Sequence, residues 1–170
     1  MSLIDQLEIP PTPLLAGVDR SEWPQILAST RRYELDSYQP VFLEGDPADD
    51  FVVLIKGSVQ VSVHSGSGPM PLVELGPGAM LGEIGFLLGG TRTATVRTLE
   101  PSTFLRFANS DFEQILGQHT PAAFQMLKNI ALSVANRLRT ADSQLEEMGR
   151  QAATPPVKSD LLRVRKSLLD

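Results

Sequence analysis

This sequence predicts an α+β, mainly β fold: an antiparallel β-roll of the jelly-roll barrel type, with flanking helices and a long C-terminal helix. Three observations predict it. Six short β-branched or aromatic runs fall between residues 40 and 108. Clusters of Gly, Pro, Asp and Ser separate them at the regular spacing of an antiparallel sandwich or barrel. Beyond residue 108 the apolar residues recur at a helical period instead.

The elements follow in chain order. Residues 14–32 read as a short helical lead-in, with Ser21 as N-cap and Pro24 within the first turn, where its missing N–H costs little. The expected strands are Val41-Phe42-Leu43, Phe51 to Ile55, Val59 to Val63, Leu72 to Leu75, Thr93 to Thr98 and Phe104 to Phe107. Between them lie Gly45-Asp46-Pro47, Lys56-Gly57-Ser58, Ser65 to Pro69 and Gly76-Pro77-Gly78, each rich in residues that favour turns. Ser110-Asp111-Phe112-Glu113 fits a capping box, and Thr120-Pro121 supplies an N-cap followed by a first-turn proline. Leu127, Ala131, Val134, Leu138, Ala141, Leu145 and Met148 then alternate spacings of 4 and 3, an apolar seam of about three heptads. The seam either packs on the chain's own sheet or joins two copies along helix 121–149. The small Ala131 and Ala141 favour the homodimer.

Residues 1–149 are therefore expected to form one domain including its N-terminal helices and dimerisation helix. Residues 150–170 form a polar, proline-containing linker and a tail. In the tail Leu161, Leu162, Val164, Leu168 and Leu169 interleave with Arg163, Arg165 and Lys166, either as a short amphipathic helix capped by Ser159 or as a solvated end.

Composition narrows the function. The chain has 170 residues, a net charge of −5 and no Cys, which removes disulfides, thiolate metal sites and thiol catalysis together. Residues 1–127 hold 7 Lys/Arg against 15 Asp/Glu, whereas 128–170 hold 8 against 5. The body should repel nucleic acid, so direct DNA binding is not expected, and only the C-terminal region has the opposite sign. The first residues lack a basic n-region and are broken by Pro10, Pro11 and Pro13, and no apolar run reaches about 18 residues, so a cytoplasmic location without a membrane span is expected. A metal site needs several convergent His and carboxylate ligands, and His64 and His119, expected in a hairpin loop and a helix linker, do not supply them or a haem ligand; Asp46, Asp49 and Asp50 read as a turn before a strand. No nucleophile with a base and an orienting group stands out, so catalysis is not expected.

One stretch carries chemistry. In Gly82 to Val96, GEIGFLLGGTRTATV, one acid and one base stand nine residues apart in an otherwise uncharged run. The segment from Gly82 through Ile84 to Phe86 can form a single helical turn whose first N–H groups suit an anion, and Gly85 and Gly90 permit close backbone approach. Arg92 would bring a planar guanidinium to the same anion, and Glu83, repelled by a phosphate, suits a sugar hydroxyl. The plainer alternative is an ion pair on a barrel rim.

Three blocks in register resemble the cyclic nucleotide-binding domain family. Gly45 to Gly57 is similar to its G-D-x-x-D-x-F-x-x-[IL]-x-x-G element, Leu75 to Glu83 to its L-G-x-G-x-x-[FIL]-G-E element, and Gly82 to Val96 to its phosphate-binding cassette. The likeness covers about residues 14–148. It implies that Arg92 pairs with the cyclic phosphate, that Glu83 takes the ribose 2′-hydroxyl, and that backbone amides of Gly82, Glu83, Ile84, Gly85 and Thr93 or Ala94 complete the cradle. The Thr93 hydroxyl is placed for the phosphate or for a guanine amino group. Val61 and Leu72 correspond to apolar positions beside the base, and Leu81 stands where many members have Phe. Thr140 and Asp142 offer polar atoms on the helix that would close over the base, but not a Thr-Ser pair. The expected ligand is a cyclic mononucleotide, cyclic AMP favoured over cyclic GMP, with output through an effector protein. The alternative is a ligand-free dimeric scaffold with a vestigial pocket.

Overall fold

A computed structural model describes residues 8–118 and 120–153. The chain forms two compact units, the first ending at Val134 and the second starting at Ala135. Of the linker and tail expected at 150–170, residues 154–170 lie outside the described residues, as do the first seven residues, His119 and the side chains of Thr120, Met148 and 151–153, whereas 150–153 continue the last helix.

A 3-10 turn at Pro13–Leu15 and helix α1 (Trp23–Ala28) open the first unit. The strands are β1 (Arg31–Leu35), β2 (Pro40–Phe42), β3 (Asp50–Lys56), β4 (Val59–Ser65), β5 (Gly68–Leu75) and β6 (Met80–Leu81). Helix α2 (Glu83–Leu88) separates them from β7 (Thr95–Thr98) and β8 (Ser102–Ala108). Helices α3 (Asn109–Gln118) and α4 (Thr120–Ala153) follow. The strands make two four-stranded antiparallel sheets, ordered β1-β8-β3-β6 and β2-β7-β4-β5. The expected β-roll with flanking helices and a long C-terminal helix is the fold observed.

The lead-in differs from expectation in two ways. Residues 31 and 32, expected as the end of the helical lead-in, instead open β1, which pairs along β8 from Arg31↔Arg106 to Leu35↔Ser102. Ser21 does not cap α1: its N–H and hydroxyl both donate to Asp19 Oδ1, at 2.8 and 2.7 Å, and Glu22 takes the cap position. Pro24 does lie in the first turn.

β3 explains why the core is double. Phe51, Val53 and Ile55 join a cluster with Leu14, Ile26, Phe107, Phe112, Met126 and Ile130 beneath the helices. Val52 and Leu54 join Phe42, Val59, Leu81, Val96 and Phe104 between the sheets. A strand covered on both faces must be apolar throughout, which is why Phe51-Val52-Val53-Leu54-Ile55 shows no alternation. The start of α4 closes the helical side with Ala122, Ala123, Met126 and Ile130. Buried Asn129 donates from Nδ2 to the carbonyls of Leu14 (2.9 Å) and Ala16 (2.8 Å), fastening the N-terminal turn to α4.

Candidate functional site

The loop 43–48 and the segment 90–92 are joined by backbone alone. Gly45 N–H donates to Arg92 O (2.9 Å), Arg92 N–H to Asp46 O (2.8 Å) and Ala48 N–H to Gly90 O (3.0 Å), with a bridge between Pro47 and Thr91. Both sides of Arg92 are thus fixed before its side chain is considered. The Gly-Asp turn ahead of β3 is the clamp that sets its place.

Two glycines make room for the rest. Gly82 precedes α2 at φ +83°, and a Cβ there would lie 2.5 Å from Arg92 Nη1 and 2.8 Å from the Phe42 ring. Gly85 lies against Ala48, where an added Cβ would collide with the alanine methyl. α2 therefore sits directly on the loop that clamps Arg92. Phe86 anchors it from the other side, its ring 4.8 Å from Phe51 and 5.4 Å from Phe112 in edge-to-face contact.

Arg92 is buried, as is the whole of Glu83 at the first turn of α2. The Arg92 guanidinium lies over the Phe42 ring, 3.6 Å from its centroid. Its Nη1 donates to Asp50 O (2.6 Å) and to Gly82 O (3.4 Å), and its Nη2 is ion-paired with Asp50 Oδ1. Asp50 Oδ2 is ion-paired with Arg106 Nε. That hydrogen bond to Asp50 is the largest influence raising the Arg106 guanidinium above its ordinary range. Burial, and next the Asp50 charge, push the Tyr33 phenol up to about 12.

The structure brings Gly82, Glu83, Ile84, Gly85 and Arg92 into one place, with Leu81 buried at the end of β6 just before them. Thr93 is exposed and Ala94 half-buried as the chain passes from Arg92 to β7. Val61 is half-buried in β4, Leu72 is exposed on the edge strand β5, and a register shift falls at Val61/Ser62 where these strands pair. Thr140 and Asp142 lie in the second unit, both exposed, with the Thr140 hydroxyl donating to Asn136 O (3.0 Å).

Asp50, read as part of a turn, is instead the first residue of β3 and the partner of Arg92. The signal that locates it is period 2. Asp50, Val52 and Leu54 share the face turned toward the other sheet, and the register Val52↔Arg106 sets Arg106 diagonally across from Asp50. An acid on an inward position of a buried strand requires a cation. Phe42 belongs to the site as well, through its ring under the guanidinium.

Among the described residues no group of three or more His, Asp or Glu could hold a metal, and no helix is long and apolar enough to cross a membrane. His64 is exposed, its backbone N–H donating to Glu44 Oε2 (2.7 Å).

A family model for the cyclic nucleotide-binding domain matches residues 32–119. A cyclic AMP receptor protein from Thermus thermophilus is 27% identical over 154 residues, 90% of this chain and 69% of the receptor. A glutaminase from Bradyrhizobium diazoefficiens is 33% identical over 78% of this chain, which spans only 21% of that enzyme. The crystal structure of the Thermus thermophilus catabolite activator protein superposes with a TM-score of 0.73 at 27% identity, covering 81% of this chain and 63% of that one.

Proposed function

This chain belongs to the cyclic nucleotide-binding domain family, and from that premise we propose that it is a non-catalytic sensor of a cyclic mononucleotide that signals through a partner protein. The observation that carries the reading is the convergence of buried Arg92 and buried Glu83 at the start of α2. In this reading Arg92 takes the cyclic phosphate and Glu83 the ribose 2′-hydroxyl. Backbone N–H groups of Gly82 to Gly85 and of Thr93 or Ala94 complete the phosphate cradle. Val61, Leu72 and Leu81 supply apolar contact around the base, and Thr140 and Asp142 are the polar groups available to a closing helix. Cyclic AMP is favoured over cyclic GMP, and the protein is placed in the cytoplasm.

Output passes through a homodimer joined along helix 121–149 and through an effector protein, for which Leu161 to Leu169 of the tail is the candidate contact. The ligand acts by population shift: it stabilises one arrangement of α2 and its neighbours, so the response depends on Arg92.

A second reading is supported by the Asp50 ion pair, which supplies Arg92 with an anion from within the chain. A scaffold with a vestigial pocket would keep Arg92 for that pair alone. Thermal unfolding with cyclic AMP, cyclic GMP and cyclic di-GMP, on the wild type and Arg92→Ala, separates the two. At 100 times its dissociation constant a ligand contributes about 2.7 kcal/mol, which raises the midpoint by about 5–10 °C in a chain of this size. A rise with one mononucleotide that Arg92→Ala abolishes is expected. No rise at millimolar ligand would favour the scaffold.

A further inference from the structure

We propose that Glu44 is a positioning residue for the nucleotide: its carboxylate stands beside His64 where β7 has ended, and holds the free end of the β4–β5 hairpin to the loop that clamps Arg92. The inference rests on the reading of Val61 and Leu72 in that hairpin as apolar contacts for the base, and it adds the residue that ties the base wall to the phosphate site.

The hairpin outruns its sheet. β4 pairs with β5 along its whole length, from Val59↔Leu75 to Ser65↔Gly68. It pairs with β7 only from Val59↔Thr98 to Ser62↔Thr95. Continued by two residues, that register would set His64 opposite Thr93, but β7 begins at Thr95, and the chain before it belongs to the Arg92 segment. Residues 63–70 therefore run on as a two-stranded ribbon past the register shift at Val61/Ser62. The tip of the ribbon is closed on itself, with Ser65 Oγ donating to Gly68 O (2.7 Å). Two strands alone have little stability of their own, so the direction of the ribbon depends on what holds its side.

Glu44 supplies that hold. The backbone N–H of His64, on the edge that β7 has left, donates to Glu44 Oε2 (2.7 Å). The Glu44 N–H donates to Thr95 Oγ1 (3.0 Å), at the first residue of β7. One residue on, Gly45 N–H donates to Arg92 O, and Arg92 N–H donates to Asp46 O. Glu44 thus has its backbone beside the clamp of Arg92 and its side chain on the hairpin. A carboxylate that accepts from a backbone amide makes a charge-assisted bond, and here it takes a donor that a longer β7 would have taken. Thr93, the residue that a longer ladder would have used, is left to the segment that the reading assigns to the phosphate.

The test is binding of cyclic AMP and cyclic GMP to the full chain by isothermal titration calorimetry. It compares wild type, Glu44→Ala, Glu44→Gln, Leu72→Ala and the Glu44→Ala/Leu72→Ala double variant, with Arg92→Ala reporting on the premise. Glu44 and Leu72 are both exposed, so these variants should keep the fold. Glu44→Ala should weaken binding by about threefold to tenfold, the scale of one hydrogen bond. Glu44→Gln keeps an oxygen acceptor and should lose clearly less; an equal loss would overturn the hydrogen bond as the cause. Because the tether and the wall it carries act as one unit, the Glu44→Ala loss should shrink on the Leu72→Ala background. The same factor lost with and without Leu72 would mean that Glu44 acts through the Arg92 clamp alone, and the hairpin role is then wrong. If the wild type binds in an Arg92-dependent way and Glu44→Ala binds equally well, the proposal falls while the nucleotide reading stands. If the wild type shows no Arg92-dependent binding, the nucleotide reading falls and takes the proposal with it.

Discussion

Gly82 is the residue at which backbone conformation and site geometry meet. It lies in the left-handed region at φ +83°, and the space where a Cβ would stand is taken by Arg92 Nη1 and the Phe42 ring. Gly82→Ala is expected to cost about 1–2 kcal/mol from the left-handed backbone alone, with more from displacing the arginine. Urea unfolding should show the loss as a lower midpoint at unchanged slope, and calorimetry should show nucleotide affinity falling with it. Tyr33, stacked on Phe104 with ring centroids 5.2 Å apart, carries the alkaline limit of this part of the fold. Its phenol is pushed up from 10.0 to about 12, first by burial and then by the Asp50 charge, with Arg106 and Arg92 opposing. The folded state therefore keeps a proton that the unfolded chain has lost. Stability present below about pH 10 declines as the pH rises toward about 12. Tyr33→Phe, compared with wild type by urea unfolding at successive pH values, should flatten that decline.

At the scale of elements, α2 is held less by its own six residues than by Phe86 against Phe51 and Phe112. A helix this short is not stable by propensity, so its order comes from that packing. Phe86→Ala is expected to cost about 2–4 kcal/mol and to speed amide hydrogen exchange across Glu83 to Leu88 more than in β3. Equal acceleration in both would show that α2 has no separate opening. The same elements show what a sequence can and cannot announce. β3 was legible because an uninterrupted Phe51 to Ile55 run can only be a doubly covered strand, and α2 because Gly82 and Gly85 bracket an acid in an apolar turn. β1 was not: Arg31, Arg32 and Glu34 are exposed, which leaves half-buried Tyr33 and Leu35 as its two apolar residues, too few to reveal a period of 2. β6 has only two residues and hides inside the glycine-rich motif. Ser21 resembled a cap because a sequence does not show that Asp19 has already taken its hydroxyl. Asp50 was hidden for a related reason, since a charged residue beside a turn looks solvated until the register of β3 with β8 turns it inward toward two arginines.

For the whole molecule, the decisive surface is the exposed apolar seam in the second half of α4. Ala122, Ala123, Met126 and Ile130 are spent on the core, whereas the seam residues Leu138 and Leu145 are 61% and 66% exposed. The helix has 34 residues, about 51 Å of length, so a large part of the seam runs past the residues that the core uses. Leaving Leu138 and Leu145 in water forgoes about 1.5–3 kcal/mol each relative to full burial, and a second copy presenting the same seam would recover part of that on both chains. The proposed dimer therefore makes a graded prediction. Leu138→Glu with Leu145→Glu should convert a dimer into a monomer in sedimentation equilibrium, and should remove the dependence of the thermal midpoint on protein concentration. Because Asn129 and Met126 fasten the start of the helix to the first unit independently of that seam, the variant should still fold and still bind a nucleotide through Arg92. A wild type that is already monomeric would overturn the dimer. A double variant that loses nucleotide binding together with its partner would instead mean that the seam and the phosphate site form one cooperative system.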